Sequence, residues 1–247
     1  MSVQFLSLAE GSIAYQRQVG EKNLPGVIFL SGFASDMTGS KAAYLADFCA
    51  RKSIPYLRFD YIGCGQSTGE LGKGTIGLWL NNTIEAFDKL TSGEQIVVGS
   101  SMGGWLGLIL AQKRAERIKA VIGIAAAPDF TEDLIWNKLT ETGQQDLFRD
   151  GEIRETTASG EVRPPITLNL IEEARTHLVL RNKLNLYCPI RLLQGMADEQ
   201  VPWQHSVKIA NAINHKDVQI HLIKDGDHRL STPENLGLIG QSIMEFV

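Results

Sequence analysis

The chain lacks the features that would place it among membrane, nucleic-acid-binding or disulfide-stabilised proteins. Its apolar runs fall short of the roughly 20 residues that a membrane-spanning helix needs, which argues against integral membrane association. The net charge of −4 shows no basic excess, which argues against a nucleic-acid partner. Cys49, Cys64 and Cys188 are odd in number and have no CxxC spacing, which favours a reducing compartment.

Residues 1–20 also lack a recognisable targeting segment. They alternate polar and apolar side chains, without the apolar block of a signal peptide or the arginine-rich pattern of a mitochondrial presequence. These features predict a cytoplasmic protein. The alternative is a mature protein of mitochondrial type that has lost its presequence.

The order of predicted strands and helices indicates the fold class. The length of 247 residues suits one domain, 1–247, and 43% hydrophobic with 21% charged residues is typical of a globular enzyme. An antiparallel hairpin at residues 3–18 precedes alternating strands and helices. This alternation predicts an α/β fold, with a mostly parallel central sheet and helices on both faces. The predicted strands are 27–30, 56–59, 95–98, 120–124, 190–193 and 218–223. The predicted helices are 41–52, 75–90, an apolar one after Ser101 that ends near Lys113 and Arg114, 204–214 and one from 233.

Residues 129–183 interrupt the alternation, because they contain no predicted core strand. Apolar side chains gather near the start of this segment, which favours a small lid insertion over a pocket rather than a solvated excursion. Trp136 and Phe148 are the candidate substrate-binding residues of the lid. A Ser159-Gly160 turn signal within 154–162 indicates a small hairpin.

The most informative motif is Gly-x-Ser-x-Gly, centred on Ser101 between Gly99 and Gly103. Glycines are needed on both sides of so tight a turn, because a Cβ there would collide with the adjoining strand or helix. An apolar strand precedes the motif and an apolar helix follows it, which is the setting in which this motif presents a nucleophilic serine. Ser101 is therefore the candidate nucleophile, and an ordinary glycine-rich corner is the alternative.

A serine hydroxyl needs a general base, and the base needs a carboxylate to orient it. His228 is the candidate base, because it lies in a polar loop directly after an apolar strand, where such folds bind ligands. Asp198 is the candidate acid, because it follows the strand at 190–193. The alternatives for the acid are Glu199, Asp225 and Asp227. The other histidines, which we expect to be structural or at the surface, are His177, His205, His215 and His221.

The oxyanion of an acyl-transfer reaction needs preorganised hydrogen-bond donors. The backbone N–H groups of Met102 and Phe33 are the candidates, because Met102 follows the nucleophile and Gly32 lets the Phe33 backbone approach a substrate. The glycine-rich residues 60–67 lack the third glycine of a dinucleotide-binding motif and are interpreted as a structural turn. No histidine pair has metal-ligand spacing, and the mechanism requires neither metal nor cofactor.

Several of these segments together resemble the α/β-hydrolase superfamily over essentially the whole chain. The segments are residues 31–33, 60–67, 99–104, 195–202 and 227–228. More specifically, residues 58–61, 98–105, 191–195, 201–204 and 227–229 resemble a depalmitoylating thioesterase branch that also deacylates mycophenolic acid acyl-glucuronide. The resemblance implies a triad of Ser101, Asp198 and His228, which agrees with the assignment above. Ser31 stands where the wider superfamily often has histidine.

These residues predict a serine hydrolase that cleaves acyl esters or thioesters through an acyl-enzyme on Ser101. The expected substrate is a small-molecule acyl ester or an acylated protein. The alternatives are a carbon–carbon bond hydrolase or haloperoxidase with the same triad, and a binding protein that has lost turnover. A complete serine, aspartate and histidine set argues against the binding protein, which would not need all three.

Overall fold

A computed structural model describes residues 2–154, 162 and 164–247, and its main element is an eight-stranded sheet. The strands of the chain are β1 (Gln4–Leu8), β2 (Gly11–Gln18), β3 (Gly26–Leu30), β4 (Tyr56–Phe59), β5 (Gln95–Ser100), β6 (Ile118–Ile124), β7 (Glu152–Ile153), β8 (Ile166–Thr167), β9 (Ile190–Gly195) and β10 (Val218–Ile223). The helices are α1 (Ser40–Arg51), α2 (Ile76–Leu90), α3 (Met102–Lys113), α4 (Glu141–Asp150), α5 (Leu168–Ala174), α6 (Gln204–Ala212) and α7 (Pro233–Met244).

The strand order in the large sheet is β1-β2-β4-β3-β5-β6-β9-β10. The β1–β2 and β2–β4 pairs are antiparallel, and the other pairs are parallel. The predicted mostly parallel sheet with an N-terminal hairpin at its edge is therefore confirmed.

The central strands are apolar on both faces because helices cover both sides of the sheet. In β5, Ile96 and Val98 pack with residues of α1 and α7, whereas Val97 packs with residues of α2 and α3. The period of two that alternates side chains across a strand produces this division. The prediction of helices on both faces is confirmed.

The sequences of α2 and α3, two of the helices that pack on the sheet, explain where α2 begins and how α3 is buried. The α2 helix begins where the Thr75 hydroxyl accepts a hydrogen bond from the Leu78 N–H, so Thr75 is its N-cap. The α3 helix is buried along almost its whole length, which explains why its sequence is apolar on every face. Among the described residues, no helix combines the length and the apolar character needed to cross a membrane.

Parallel strands bring their following loops to one edge of the sheet. The loops after β3, β5, β6, β9 and β10 all begin at the carboxyl ends of parallel strands. In open α/β sheets, ligands bind at this edge. The sheet therefore gathers there the segments that carry Phe33, Ser101, Asp198 and His228.

The segment 129–183 lies between β6 and β9, and its described residues contribute no strand to the large sheet. Its two ends are joined, because the Asp129 carboxylate accepts hydrogen bonds from the N–H groups of Val179 and Leu180 at 2.8 and 2.9 Å. The predicted turn at Ser159-Gly160 lies outside the described residues. The β7 and β8 strands on either side of it pair antiparallel.

The three cysteines are free and buried. Burial raises the pKa of the Cys49 thiol to about 12 and those of Cys64 and Cys188 to about 11. Thiols with such pKa values stay protonated near neutral pH and are poor nucleophiles. Cys64 therefore packs as a core residue of its loop.

Candidate active site

Ser101 occupies a sharp turn between β5 and α3. Its φ of 53° and ψ of −118° place a non-glycine residue in a region that costs about 1–3 kcal/mol. Hydrogen bonds hold the residue there: its N–H donates to the Ile124 carbonyl at 2.9 Å, and its own carbonyl accepts from the N–H groups of Gly104 and Ala127 at 2.9 and 3.0 Å. The side chain is half-buried. Strand, turn and helix thus present the Ser101 hydroxyl at the carboxyl edge of the sheet.

The glycines on both sides of Ser101 are required by close backbone packing. A Cβ at Gly99 would collide with the Gly103 carbonyl oxygen, and a Cβ at Gly103 would collide with the Leu30 carbonyl oxygen. Backbone atoms cannot move aside as the end of a flexible side chain can. The turn therefore excludes any larger residue at either position.

Gly103→Ala is expected to lower the free energy of unfolding by about 1–3 kcal/mol, the usual cost of forcing extra atoms into a packed site. Chemical denaturation of both variants measures the effect. Gly237→Ala is the matched control, because Gly237 also lies in a helix but a Cβ there meets nothing within 4 Å. The control is expected to gain up to about 1 kcal/mol from helix propensity. Equal effects of the two substitutions would contradict this explanation of the motif.

The structure brings Asp198 and His228 together. Asp198 Oδ2 lies 2.8 Å from His228 Nδ1, with the carboxylate fully buried and the imidazole 19% exposed. The two loops also join through their backbones, because the Ala197 N–H donates to the Gly226 carbonyl at 3.0 Å. A neutral imidazole that donates from Nδ1 leaves Nε2 free to accept a proton. The pair therefore has the geometry of a general base and its orienting acid.

The Asp198 carboxylate accepts four hydrogen bonds. Oδ2 accepts from His228 and from Gln194 Nε2 at 3.0 Å, and Oδ1 accepts from the N–H groups of Gln200 and Val201, both at 2.9 Å. Burial alone would raise the pKa of Asp198. The hydrogen bonds, first that of His228, outweigh burial and hold this pKa below its usual range. Asp198 is therefore ionised at neutral pH.

The other three candidate acids lie elsewhere, although all belong to the described part of the chain. The side chains of Glu199 and Asp225 are exposed to solvent. The Asp227 carboxylate accepts a hydrogen bond from the Leu230 N–H at 2.9 Å and so shapes the loop that carries His228. Of the four candidates, Asp198 is the one that contacts the imidazole.

Three of the remaining histidines have local partners away from this pair. His205 is buried and donates from Nε2 to the Pro128 carbonyl at 2.8 Å, and burial lowers its pKa. His177 Nε2 lies 2.8 Å from a Glu173 carboxylate oxygen. His215 Nδ1 accepts from the Asp217 N–H at 3.1 Å, and His221 lies within β10.

The loop after β3 lies directly against the turn of Ser101. A Cβ at Gly32 would sit 3.4 Å from the Ser101 Cβ, so the backbone of this loop borders the hydroxyl. Within the described residues, the N–H groups of Phe33 and Met102 donate no hydrogen bond to a protein acceptor. Both predicted oxyanion donors are therefore unpaired beside the candidate nucleophile.

Aromatic rings adjoin this loop. The Phe33 ring lies 5.7 Å from Trp79 and 6.3 Å from Phe130, and Phe130 lies 5.9 Å from Trp105, which follows Ser101 by one turn of helix. Sequence reasoning did not select Phe130 as a site residue. In the sequence, the only indication of a role for Phe130 is that it is an apolar residue near the start of the segment 129–183.

Trp136 and Phe148 form a separate aromatic pair within the segment 129–183. Their rings meet edge to face at 5.7 Å, and the Arg175 guanidinium lies 4.9 Å from the Trp136 ring. Phe148 is 58% exposed. Their role in substrate binding stays a prediction.

The glycine-rich loop at residues 60–67 is organised around a buried carboxylate. Asp60 accepts hydrogen bonds from the N–H groups of Met37 and Gln66 at 2.6 and 2.8 Å. Gly65 has a φ of 51°, and a Cβ there would collide with the Asp60 carboxylate. Glycine is required at this position by the packing of the turn itself.

Comparison with known proteins decides the family. A sequence model of the α/β-hydrolase fold matches residues 25–163. The chain belongs to the α/β-hydrolase family. The mouse protein named palmitoyl-protein thioesterase ABHD10, mitochondrial, is 38% identical over 242 residues, which cover 96% of this chain and 80% of the mouse protein.

Solved structures of other α/β hydrolases agree with this assignment. The structure of mouse alpha/beta hydrolase domain-containing protein 10 superposes with a TM-score of 0.92 at 37% identity, covering 99% of this chain and 98% of that one. A candidate hydrolase from Agrobacterium vitis S4 superposes with a TM-score of 0.95 at 34% identity, covering 100% and 98%. The predicted fold class and the resemblance to the depalmitoylating branch are both confirmed. The chain is an α/β hydrolase.

The predicted cytoplasmic location is wrong. Relatives from five mammals are all named mitochondrial, which contradicts the prediction of a cytoplasmic protein. The prediction rested on the lack of a targeting pattern in residues 1–20. A targeting segment directs a protein to its compartment, and the fold of the domain does not depend on it. Composition and hydrophobic pattern therefore carried no information on the compartment.

Proposed function

We propose that this α/β hydrolase is a serine hydrolase whose catalytic triad is Ser101, His228 and Asp198. The observation that carries the proposal is the 2.8 Å hydrogen bond between buried Asp198 and His228 Nδ1. Two residues 30 positions apart are joined at the sheet edge where Ser101 occupies its strained turn. A carboxylate ionised by its surroundings holds the imidazole in the tautomer that accepts a proton at Nε2.

The proposed reaction proceeds through an acyl-enzyme. Ser101 Oγ attacks the acyl carbonyl carbon while His228 Nε2 takes the hydroxyl proton, and the N–H groups of Phe33 and Met102 bind the oxyanion. The tetrahedral intermediate collapses as His228 returns the proton to the departing thiolate or alkoxide. Water then attacks the ester on Ser101 with His228 again as base, which releases the carboxylic acid and restores the hydroxyl.

We propose acyl thioesters and esters as the substrate class, with the acyl group seated against the aromatic rings near Ser101. Two observations support this choice. The mouse relative is named a palmitoyl-protein thioesterase. Phe33 and Phe130 are partly exposed and adjoin each other next to the proposed oxyanion donors, with buried Trp105 beside Phe130, and a fatty acyl chain is stabilised by such apolar surface. The segment 129–183, which contributes Phe130, would then cover the acyl chain as a lid.

The value of kcat/KM is expected to rise with acyl length across a series of thioesters and matched oxygen esters from acetyl to palmitoyl. Each methylene buried against the rings contributes about 0.8 kcal/mol, which corresponds to about fourfold in kcat/KM until the chain outgrows the site. Ser101→Ala is the inactive control.

Two further variants in the same series locate the acyl site. Phe130→Ala is expected to flatten the dependence on chain length, because Phe130 packs on Phe33. A flattening in Phe148→Ala alone would instead assign the acyl chain to the Trp136–Phe148 pair. A flat profile in the unaltered enzyme would reject the long-acyl substrate class.

A further inference from the structure

Gln194 is a fully buried amide directly behind the Asp198 carboxylate. Its Nε2 lies 3.0 Å from both Asp198 Oδ2 and the Val201 carbonyl oxygen, and 3.2 Å from the Gly195 carbonyl oxygen. Its Oε1 accepts a hydrogen bond from the Ser206 hydroxyl at 3.1 Å. A buried amide whose donor and acceptor ends are both paired contributes order as well as stability.

The surroundings fix which end of this amide faces Asp198. A carboxylate oxygen and two carbonyl oxygens around one end can only accept hydrogen bonds, so that end must be the NH₂ group. The Ser206 hydroxyl at the other end rotates to donate to Oε1. The Gln194 amide therefore has a single orientation, in which its NH₂ group donates a hydrogen bond to Asp198.

The hydrogen bond from Gln194 holds Oδ2 and thereby helps to fix the plane of the Asp198 carboxylate. Two backbone N–H groups, those of Gln200 and Val201, hold Oδ1. Gln194 supplies the only hydrogen bond to Oδ2 from the protein interior among the described residues, and the other bond to Oδ2 is that of His228. Without Gln194, the orientation of Oδ2 toward the imidazole would depend on His228 itself, which is partly exposed.

We propose that Gln194 is a positioning residue of the hydrolase, which fixes the Asp198 carboxylate so that Oδ2 meets the Nδ1–H of His228. Ser206 supports Gln194 from the far side of the amide. The inference rests on the proposed triad, because Gln194 acts only through Asp198.

Gln194→Met tests this role, because methionine has a similar volume and no amide. Loss of a hydrogen bond to a charged group corresponds to roughly 10- to 100-fold in rate. We expect kcat to fall by that factor with KM unchanged, and the rate of Ser101 labelling by a fluorophosphonate to fall equally. Ser206→Ala removes only the bond to Oε1 and is expected to lower kcat by no more than about threefold, because the Nε2 contacts remain.

A double-mutant cycle separates positioning from a general structural role. In an Asp198→Asn background, Gln194→Met is expected to cause no further loss of kcat, because the group that it positions is already gone. Full kcat in Gln194→Met, or losses that multiply in the double variant, would overturn the inference. Full activity in Asp198→Asn would overturn the proposed triad itself. Full activity in Gln194→Met together with a large loss in Asp198→Asn would keep the triad and overturn only the role of Gln194.

Gln194→Glu provides a second variant of nearly unchanged shape. A protonated glutamic acid keeps a donor for Asp198, whereas a glutamate places a second negative charge beside it. Relative to the unaltered enzyme at the same pH, we expect Gln194→Glu to have activity close to the Gln194→Met level at high pH and a smaller deficit as the pH falls, with circular dichroism confirming that the fold is intact. A pH profile parallel to that of the unaltered enzyme would overturn the role.

Discussion

Ser101→Ala is expected to lower kcat/KM for acyl thioesters by roughly 10⁴–10⁶-fold while the protein stays folded. The loss is large because no acyl-enzyme forms without the hydroxyl, and oxyanion binding alone provides only the residual rate. Alanine carries a Cβ as serine does, so the substitution adds no new steric restriction at the φ of 53°, and the turn itself is expected to persist. Steady-state kinetics and thermal unfolding measure the two effects.

Ser53→Ala is the matched control for this experiment. Ser53 is an exposed serine with a φ of 55°, so the substitution makes the same chemical change at nearly the same backbone angle far from the proposed triad. The control is expected to keep full activity and full labelling by a fluorophosphonate probe, whereas Ser101→Ala loses both. Labelling that persists at another residue in Ser101→Ala would identify a different nucleophile.

Asp198→Asn is expected to lower kcat by roughly 10⁴-fold. An asparagine NH₂ group facing His228 would turn the imidazole to the tautomer whose Nε2 carries the proton, and such a ring cannot act as the base. Glu199→Gln, one position along, neutralises an exposed carboxylate and is expected to leave kcat unchanged. A large loss of kcat in Glu199→Gln together with a small loss in Asp198→Asn would show that the acid is Glu199 and not Asp198.

The same variant makes a prediction about stability and pH. The pKa of Asp198 is lower in the folded protein than the value of about 3.9 for an unfolded aspartate, so its ionised form favours folding. This contribution is fully present above about pH 4 and is lost as the pH falls through the lower folded pKa. The difference in unfolding free energy between the unaltered protein and Asp198→Asn is therefore expected to shrink in acid.

Local patterns in the sequence were enough to predict the fold and to select Ser101, Asp198 and His228 as candidates. The alternation of short apolar runs with helical segments predicted the sheet and its helices, and the glycines around Ser101 predicted the turn. The choice of Asp198 over Glu199 depended on its distance from a strand end. In parallel sheets such positions converge on one edge, so topology alone brings Asp198 toward His228.

Contacts between segments far apart in sequence were not predicted. Gln194 sits at the end of an apolar strand, and nothing in its neighbours shows that Ser206 and Asp198 close around its amide. Phe130 was one of several apolar residues in the segment 129–183, and only the fold shows that it meets Phe33. Side-chain packing of this kind depends on the crossing of loops, which hydrophobic periodicity does not encode.

The central claim is that Ser101 carries the acyl group during turnover. The most direct measurement is rapid quenching of the enzyme with a palmitoyl thioester, followed by mass spectrometry of the intact chain and of its peptides. We predict one palmitoyl group on the peptide that contains Ser101, formed before palmitate is released and missing in Ser101→Ala. Palmitate release with no acylated peptide, or acylation of Cys64 in place of Ser101, would contradict the account.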